Sequence, residues 1–148
     1  GGLISCLTRF VDLAKPSAEK PRRRQAIANI DAAVNLATRP GRTLGEVFTD
    51  LQKAYAANGF ADEWRNHHQG GPTGYNTRDA IATPVSTSKI VDHQAFAWNP
   101  SLVGAKCEDT MLCSTSGIEI LTAHSSDWPS TEGISPAGPL RRPGVDRV

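Results

Sequence analysis

Two of the four histidines in this chain, His67 and His68, are adjacent. They stand in the run Trp64-Arg65-Asn66-His67-His68-Gln69-Gly70-Gly71-Pro72-Thr73-Gly74-Tyr75. That run has too many glycines for a helix and too many large polar groups for a core strand. An imidazole in such a loop is either structural or catalytic, and the glycines at 70, 71 and 74 favour close approach of a ligand or a neighbouring strand to the backbone. Adjacent side chains on an extended backbone point to opposite faces, so one of His67 and His68 is expected in a given site. The run is not a phosphate loop, because G-x-x-x-x-G-K is missing.

Glu108 and Asp109 are the second candidate. A strand over Lys106–Cys113 puts Glu108, Thr110 and Leu112 on one face and Cys107, Asp109, Met111 and Cys113 on the other. One carboxylate then faces the interior and needs a partner; the other reading is a pair of edge-strand charges in solvent. Asn99-Pro100 ends the strand Gln94–Trp98 beside whatever that strand supports. Arg78-Asp79 reads as a surface ion pair. The three cysteines, Cys6, Cys107 and Cys113, are an odd number without C-x-x-C spacing, which suggests neither a disulfide framework nor a zinc knuckle and fits a reducing cytoplasm.

The elements that must hold these groups are legible in outline. The chain has 148 residues, 39% hydrophobic and 21% charged, enough for one domain that buries about 70% of its unfolded surface. Residues 3–11, with Ile4, Leu7, Phe10 and Val11, read as a strand. Ile27, Ile30, Ala33, Val34 and Ala37 recur at helical steps, giving a helix over about 18–38 that opens on Arg22-Arg23-Arg24 as a solvated face. Thr43 and Glu46 form a capping box for a second helix, 43–58, ended by Asn58-Gly59. Gln94–Trp98, Lys106–Cys113 and Gly117–Thr122 read as strands, the last two joined as a hairpin through Ser114-Thr115-Ser116-Gly117. From Ala123 the composition turns to Ser, Pro, Gly and Arg, and an irregular tail is expected over 125–148. A net charge of +1 offers no basic stripe for nucleic acid, and no apolar run approaches the ~20 residues of a membrane helix.

Taken in order, Leu7-Thr8-Arg9, two helices separated by Arg39-Pro40-Gly41, His67-His68-Gln69-Gly70-Gly71, Asn99-Pro100, Glu108-Asp109-Thr110 and Gly117-Ile118-Glu119-Ile120-Leu121-Thr122 resemble the C-terminal portion of the pita-bread fold. Xaa-Pro aminopeptidase, Xaa-Pro dipeptidase, methionine aminopeptidase and creatinase share that fold. The resemblance covers roughly residues 3–122. It implies an α+β architecture: residues 1–124 as part of a pita-bread domain whose opening half would precede Gly1, with a curved, mainly antiparallel sheet, the two helices on its convex face and the site on the concave side.

The resemblance also implies roles. The family's metallopeptidases hold two divalent ions with two aspartates, one histidine and two glutamates. The histidine matches His68 and the last glutamate matches Glu108. Cys6 stands where the second aspartate is expected, Asn99 where the other glutamate is, and Tyr75 where a further histidine is; the first aspartate would lie upstream of Gly1. A neutral amide and a soft thiol are poor ligands for manganese or cobalt. The expectation is therefore a creatinase-like, metal-independent hydrolase of C–N bonds in a small peptide or amide. His68 and Glu108 are its catalytic pair and His67, Trp64, Tyr75 and Asn99 line the pocket. The alternatives are an active dinuclear enzyme with Mn, Co or Zn, and a non-catalytic relative that binds a peptide or partner. A homodimer is the expected assembly, without nucleic acid or membrane.

Overall fold

A computed structural model describes residues 1–148. In chain order the elements are β1 (Phe10–Asp12), α1 (Glu19–Ala37), α2 (Leu44–Ala57), a 3-10 turn (Glu63–Asn66), β2 (Gly70–Pro72), β3 (Gln94–Trp98), β4 (Ser101–Leu102), β5 (Ala105–Lys106), β6 (Asp109–Ser114), β7 (Gly117–Ile120), β8 (Ser130–Ser135), β9 (Gly138–Pro143) and β10 (Val145–Arg147). No helix is long and apolar enough to cross a membrane.

The centre is a four-stranded sheet in the order β2-β3-β6-β7, antiparallel throughout. Phe96 pairs with Met111 and Trp98 with Asp109, so these side chains share one face. Phe96, Trp98, Met111 and Cys113 there join Ile30, Val34, Val47, Leu51 and Tyr55 of the helices in the core. Each large apolar side chain so buried is worth roughly 1.5–3 kcal/mol of transfer free energy. Trp98 keeps its indole N–H satisfied by donating to Thr38 Oγ1 at 2.9 Å, which locks β3 to the end of α1. The opposite face of the sheet is left for the site.

Both helices form where the spacing predicts. Pro21 is tolerated because it lies in the first turn of α1, where the backbone N–H has no intrahelical acceptor. The capping box of α2 is complete: Glu46 N–H donates to Thr43 Oγ1 at 3.2 Å and Thr43 N–H to Glu46 Oε2 at 2.6 Å. Of Arg22, Arg23 and Arg24 only Arg22 stays exposed, as a solvated face requires; Arg23 and Arg24 are partly buried. Arg22 and Arg23 lie over the Phe60 ring, each 5.1 Å from its centroid, and Arg24 binds both oxygens of Asp12, at 2.7 and 2.6 Å.

Two further expectations are corrected. Within 3–11 only Phe10 onward joins a ladder, parallel to β10. Residues 4–8 instead pass beside β2 and β6 on alternate bonds, Ile4 N–H to Gly74 O and Thr8 N–H to Glu108 O. The irregular tail is in fact ordered: β8 and β9 form an antiparallel hairpin packed on α1. Its composition hides this, because the hairpin is held less by apolar side chains than by backbone pairing, close approach and one buried cation. A Cβ on Gly133 would fall 2.2 Å from Ala28 O, so glycine lets β8 lie against the helix backbone. Arg142, 1% exposed, places Nε 2.6 Å from Asp31 of α1 and Nη2 2.9 Å from Asp109 of β6. Asp109 also receives Arg9 at 2.8 Å.

Candidate functional site

Three adjacent strands deliver the sequence-predicted residues to one end of the sheet. The pair Trp98 and Asp109 is followed by Asn99 on one strand and preceded by Glu108 on the other. Gly70 pairs with Trp98, and Asn99 N–H donates to Gln69 O at 3.1 Å, which brings His68 to the same end. Gly70 makes this approach possible. Its φ is +97°, and a Cβ there would sit 2.2 Å from Ala97 O.

Glu108 is the electrostatic centre, not an edge-strand charge in solvent. Its carboxylate accepts from Thr8 Oγ1 at 2.9 Å and Arg78 Nη2 at 2.8 Å, and Lys106 Nζ lies 2.9 Å from Oε2. The Arg78 and Glu108 side chains are 8% and 9% exposed. Desolvation works to raise the Glu108 carboxyl, and the hydrogen bonds from Lys106, Arg78 and Thr8 outweigh it, holding the group below the usual carboxylate range. Arg78 also donates through Nη1 to Cys6 Sγ at 3.3 Å. The surface pairing of Arg78 with Asp79 is thus overturned. Residues 79 and 82 hydrogen-bond back to Pro72 and Gly70, folding the loop so that Arg78 reaches over the site, while Asp79 accepts from Asn76.

His68 is exposed and close enough to Glu108, Arg78 and Lys106 for all three to bear on its titration. Desolvation, His67 and the two cations push its pKa below the ordinary value, Glu108 acting against them. His67 and His68 do not point to opposite faces: their rings stack at 4.3 Å. The reason is local. His67 Nδ1 hydrogen-bonds the His68 carbonyl oxygen, turning its ring back over its neighbour.

Trp64 meets the Phe48 ring edge-on at 5.5 Å, and its carbonyl accepts from Gln69 Nε2 at 2.9 Å. Gln69 in turn accepts from Tyr55 OH at 2.8 Å. Trp64 therefore braces the strand after His68 from the core side. Tyr75 is 74% exposed. Asn99 is buried, and its Oδ1 has no hydrogen-bond partner. Sequence reasoning did not single out Thr8, Lys106 or Arg78 as partners of Glu108. Lys106 could have been found, since two residues along a strand returns to the same face; Arg78 comes from a loop thirty positions away, and its sequence neighbour Asp79 favoured a surface ion pair instead.

The surroundings of Glu108 do not suit a divalent metal ion. Both carboxylate oxygens are taken by donors, two of them fixed cations, and the thiol of Cys6 faces a guanidinium. A divalent ion placed among them would be repelled by Arg78 and Lys106 at short range.

No protein-family model matches the chain, and no curated protein matches it. Solved structures do. The dipeptidase PepE from Mycobacterium ulcerans is similar at TM-score 0.72 and 19% identity, over 96% of this chain and 36% of that one. An X-Pro aminopeptidase from Thermotoga maritima is similar at TM-score 0.72 and 16% identity, over 96% and 37%. The N-terminal domain of FACT complex subunit SPT16 from Cicer arietinum is similar at TM-score 0.67 and 14% identity, over 84% and 33%. The chain spans about a third of the length of these structures. At such identities the likeness establishes architecture: the chain has the pita-bread fold, over a span that fits a C-terminal portion of it.

Proposed function

We propose that the chain carries the acid–base centre of a metal-independent hydrolase of C–N bonds in a small peptide or amide, with His68 and Glu108 as the catalytic pair. One observation carries the reading: an exposed imidazole, held below its ordinary pKa, lies at the same end of the sheet as a carboxylate whose oxygens are held by Arg78, Lys106 and Thr8. His68 takes a proton from the attacking water and returns it to the leaving nitrogen. Glu108 stays ionised and fixes Arg78 and Lys106, and these cations stabilise negative charge that develops on the substrate oxygen. His67 and Tyr75 form the exposed rim, and Asn99 offers a free acceptor. The dipeptidase and X-Pro aminopeptidase among the structural neighbours favour an Xaa-Pro-like substrate.

A second reading has one observation in its favour. The similarity to a domain of a protein named as a complex subunit suits a protein that uses this face to bind a peptide or partner rather than to turn over a substrate. The experiment is turnover of Xaa-Pro dipeptides and of creatine-like amidines by the full-length protein, before and after chelation, with metal analysis and His68→Ala alongside. Chelator-insensitive turnover lost in His68→Ala supports the hydrolase. Stoichiometric Mn, Co or Zn with chelator-sensitive turnover overturns metal independence, and no turnover, or a fully active His68→Ala, overturns the catalytic reading.

A further inference from the structure

We propose that the groove between α1, α2 and the tip of the β8–β9 hairpin binds a small amphipathic anion, a medium-chain fatty acid whose carboxylate sits on Arg39. The groove holds about 810 Å³, and its walls are largely apolar, Ala33, Leu36, Ala54, Ala57, Ile134 and Pro136 among them. A volume of this order, lined mostly by apolar groups with a few polar ones at one place, is usual for a site that takes a small ligand. None of the lining residues belongs to the site around His68 and Glu108.

The space is held open because the helices are pinned at both ends of it. At one end Asn29 Nδ2 donates to Asn58 Oδ1 at 2.9 Å, and Asn29 Oδ1 accepts from Ile134 N–H at 2.9 Å, tying α1, α2 and the hairpin together. At the other end Arg42 donates to Ala37 O at 2.9 Å and to Asp50 at 2.7 Å. Alanine side chains at 33, 37 and 54 do not fill the interval, and the helices cannot close over it without breaking those bonds. Asn29 to Ala37 is about 12 Å of helix rise, the reach of a medium-length alkyl chain. A tail laid there covers Ile134, which is otherwise 57% exposed.

Charge selects the head group. Arg39, Arg42 and Lys53 line the groove against one acid, Asp50. Asp50 is already shared, 2.7 Å from Arg42 and 3.1 Å from Lys53. Arg39 has no carboxylate partner: its Nη1 donates to the Thr38 carbonyl at 2.8 Å, and the rest of the fork makes no hydrogen bond within the chain. Three cations against one carboxylate attract an anion, and a guanidinium fork suits a carboxylate in particular, whose two oxygens it can bind together. Arg39 follows the end of α1, so a head group there lets the tail run back along the helix toward Asn29 and Ile134, away from the charges.

The test is calorimetric titration of the full-length protein with octanoate, decanoate and decanol, each below its micelle concentration. One saturable site for decanoate is expected, tighter than octanoate by roughly fivefold to fifteenfold and tighter than decanol by about tenfold. Arg39→Gln should weaken decanoate about tenfold and leave decanol unchanged. Ala57→Trp adds volume at an exposed position of the groove wall and should block both ligands; circular dichroism confirms that each variant is folded. Absence of saturable decanoate binding would overturn the proposal, as would equal affinity for decanoate and decanol, or undiminished binding in Ala57→Trp. A dimer that dissociates in Ala57→Trp by sedimentation would make the groove an interface between copies, and binding to phosphatidylglycerol vesicles without binding of free decanoate would make it a membrane contact; either result overturns the reading. No readout depends on turnover, so the proposal stands or falls apart from the hydrolase reading.

Discussion

Asp31 offers the sharpest test of how the C-terminal hairpin is held. It is fully buried and shares one buried guanidinium, Arg142, with Asp109. Asp109 has a second cation in Arg9; Asp31 has no second cation, only neutral donors, the Asn35 side-chain amide at 3.0 Å and the Cys107 thiol, and its Oδ1 has no partner. Two carboxylates on one cation leave the less supported of them short of charge, and burial pushes Asp31 up from 3.8 to about 6. Because the folded value is the higher one, the folded chain binds the extra proton between about pH 4 and 6, and stability falls as pH rises through that window. Two pKa units correspond to about 3 kcal/mol. In Asp31→Asn, the side-chain oxygen can keep its bond to Asn35 and the titration is gone. Urea unfolding of both proteins at constant ionic strength from pH 4 to 7 cancels the groups that do not touch Asp31 in the difference. The stability of wild type minus that of Asp31→Asn should fall by about 3 kcal/mol across the range. A difference flat to within about 0.5 kcal/mol would show that Arg142 compensates Asp31 fully, and the shared-cation argument would be wrong.

Gly133→Ala should destabilise the fold by about 1–3 kcal/mol, because its Cβ would meet Ala28 O at 2.2 Å and Ala32 Cβ at 2.9 Å, backbone and a helix side chain with little room to move; chemical denaturation measures it, and an unchanged midpoint would mean that the hairpin does not lie against α1. Thr43→Ala removes the acceptor for Glu46 N–H and leaves half a capping box, with an expected loss of about 1 kcal/mol by the same assay. A change below a few tenths would place the cap's contribution elsewhere in the loop.

The helices and the central strands could be read from the chain because their signals are local. Thr43 and Glu46 cap a helix with no help from distant residues, and Phe96, Trp98, Met111 and Cys113 alternate on strands whichever neighbours they meet. His68, Asn99 and Glu108 could be nominated for the same reason, each standing at the end of a legible element, and the ordered set of short motifs carried the pita-bread resemblance that the structural neighbours support.

What surrounds those residues was decided by tertiary structure. Glu108 looks like a free acid until Arg78 folds back from a loop, and Cys6 looks like an isolated thiol until the same guanidinium reaches it. The stretch Ser130–Arg147 looks like a tail because its strands carry little apolar alternation; Arg142 on Asp31 and Asp109, and the close contact at Gly133, hold it in place. Local propensity acts over a few residues and is written in the sequence at that spot. Long-range ion pairs and close backbone approaches exist only once segments more than a hundred positions apart, such as Thr131 and Gln25, have been brought together, so residue type alone could name the candidate acid and base but not the charges that set their behaviour.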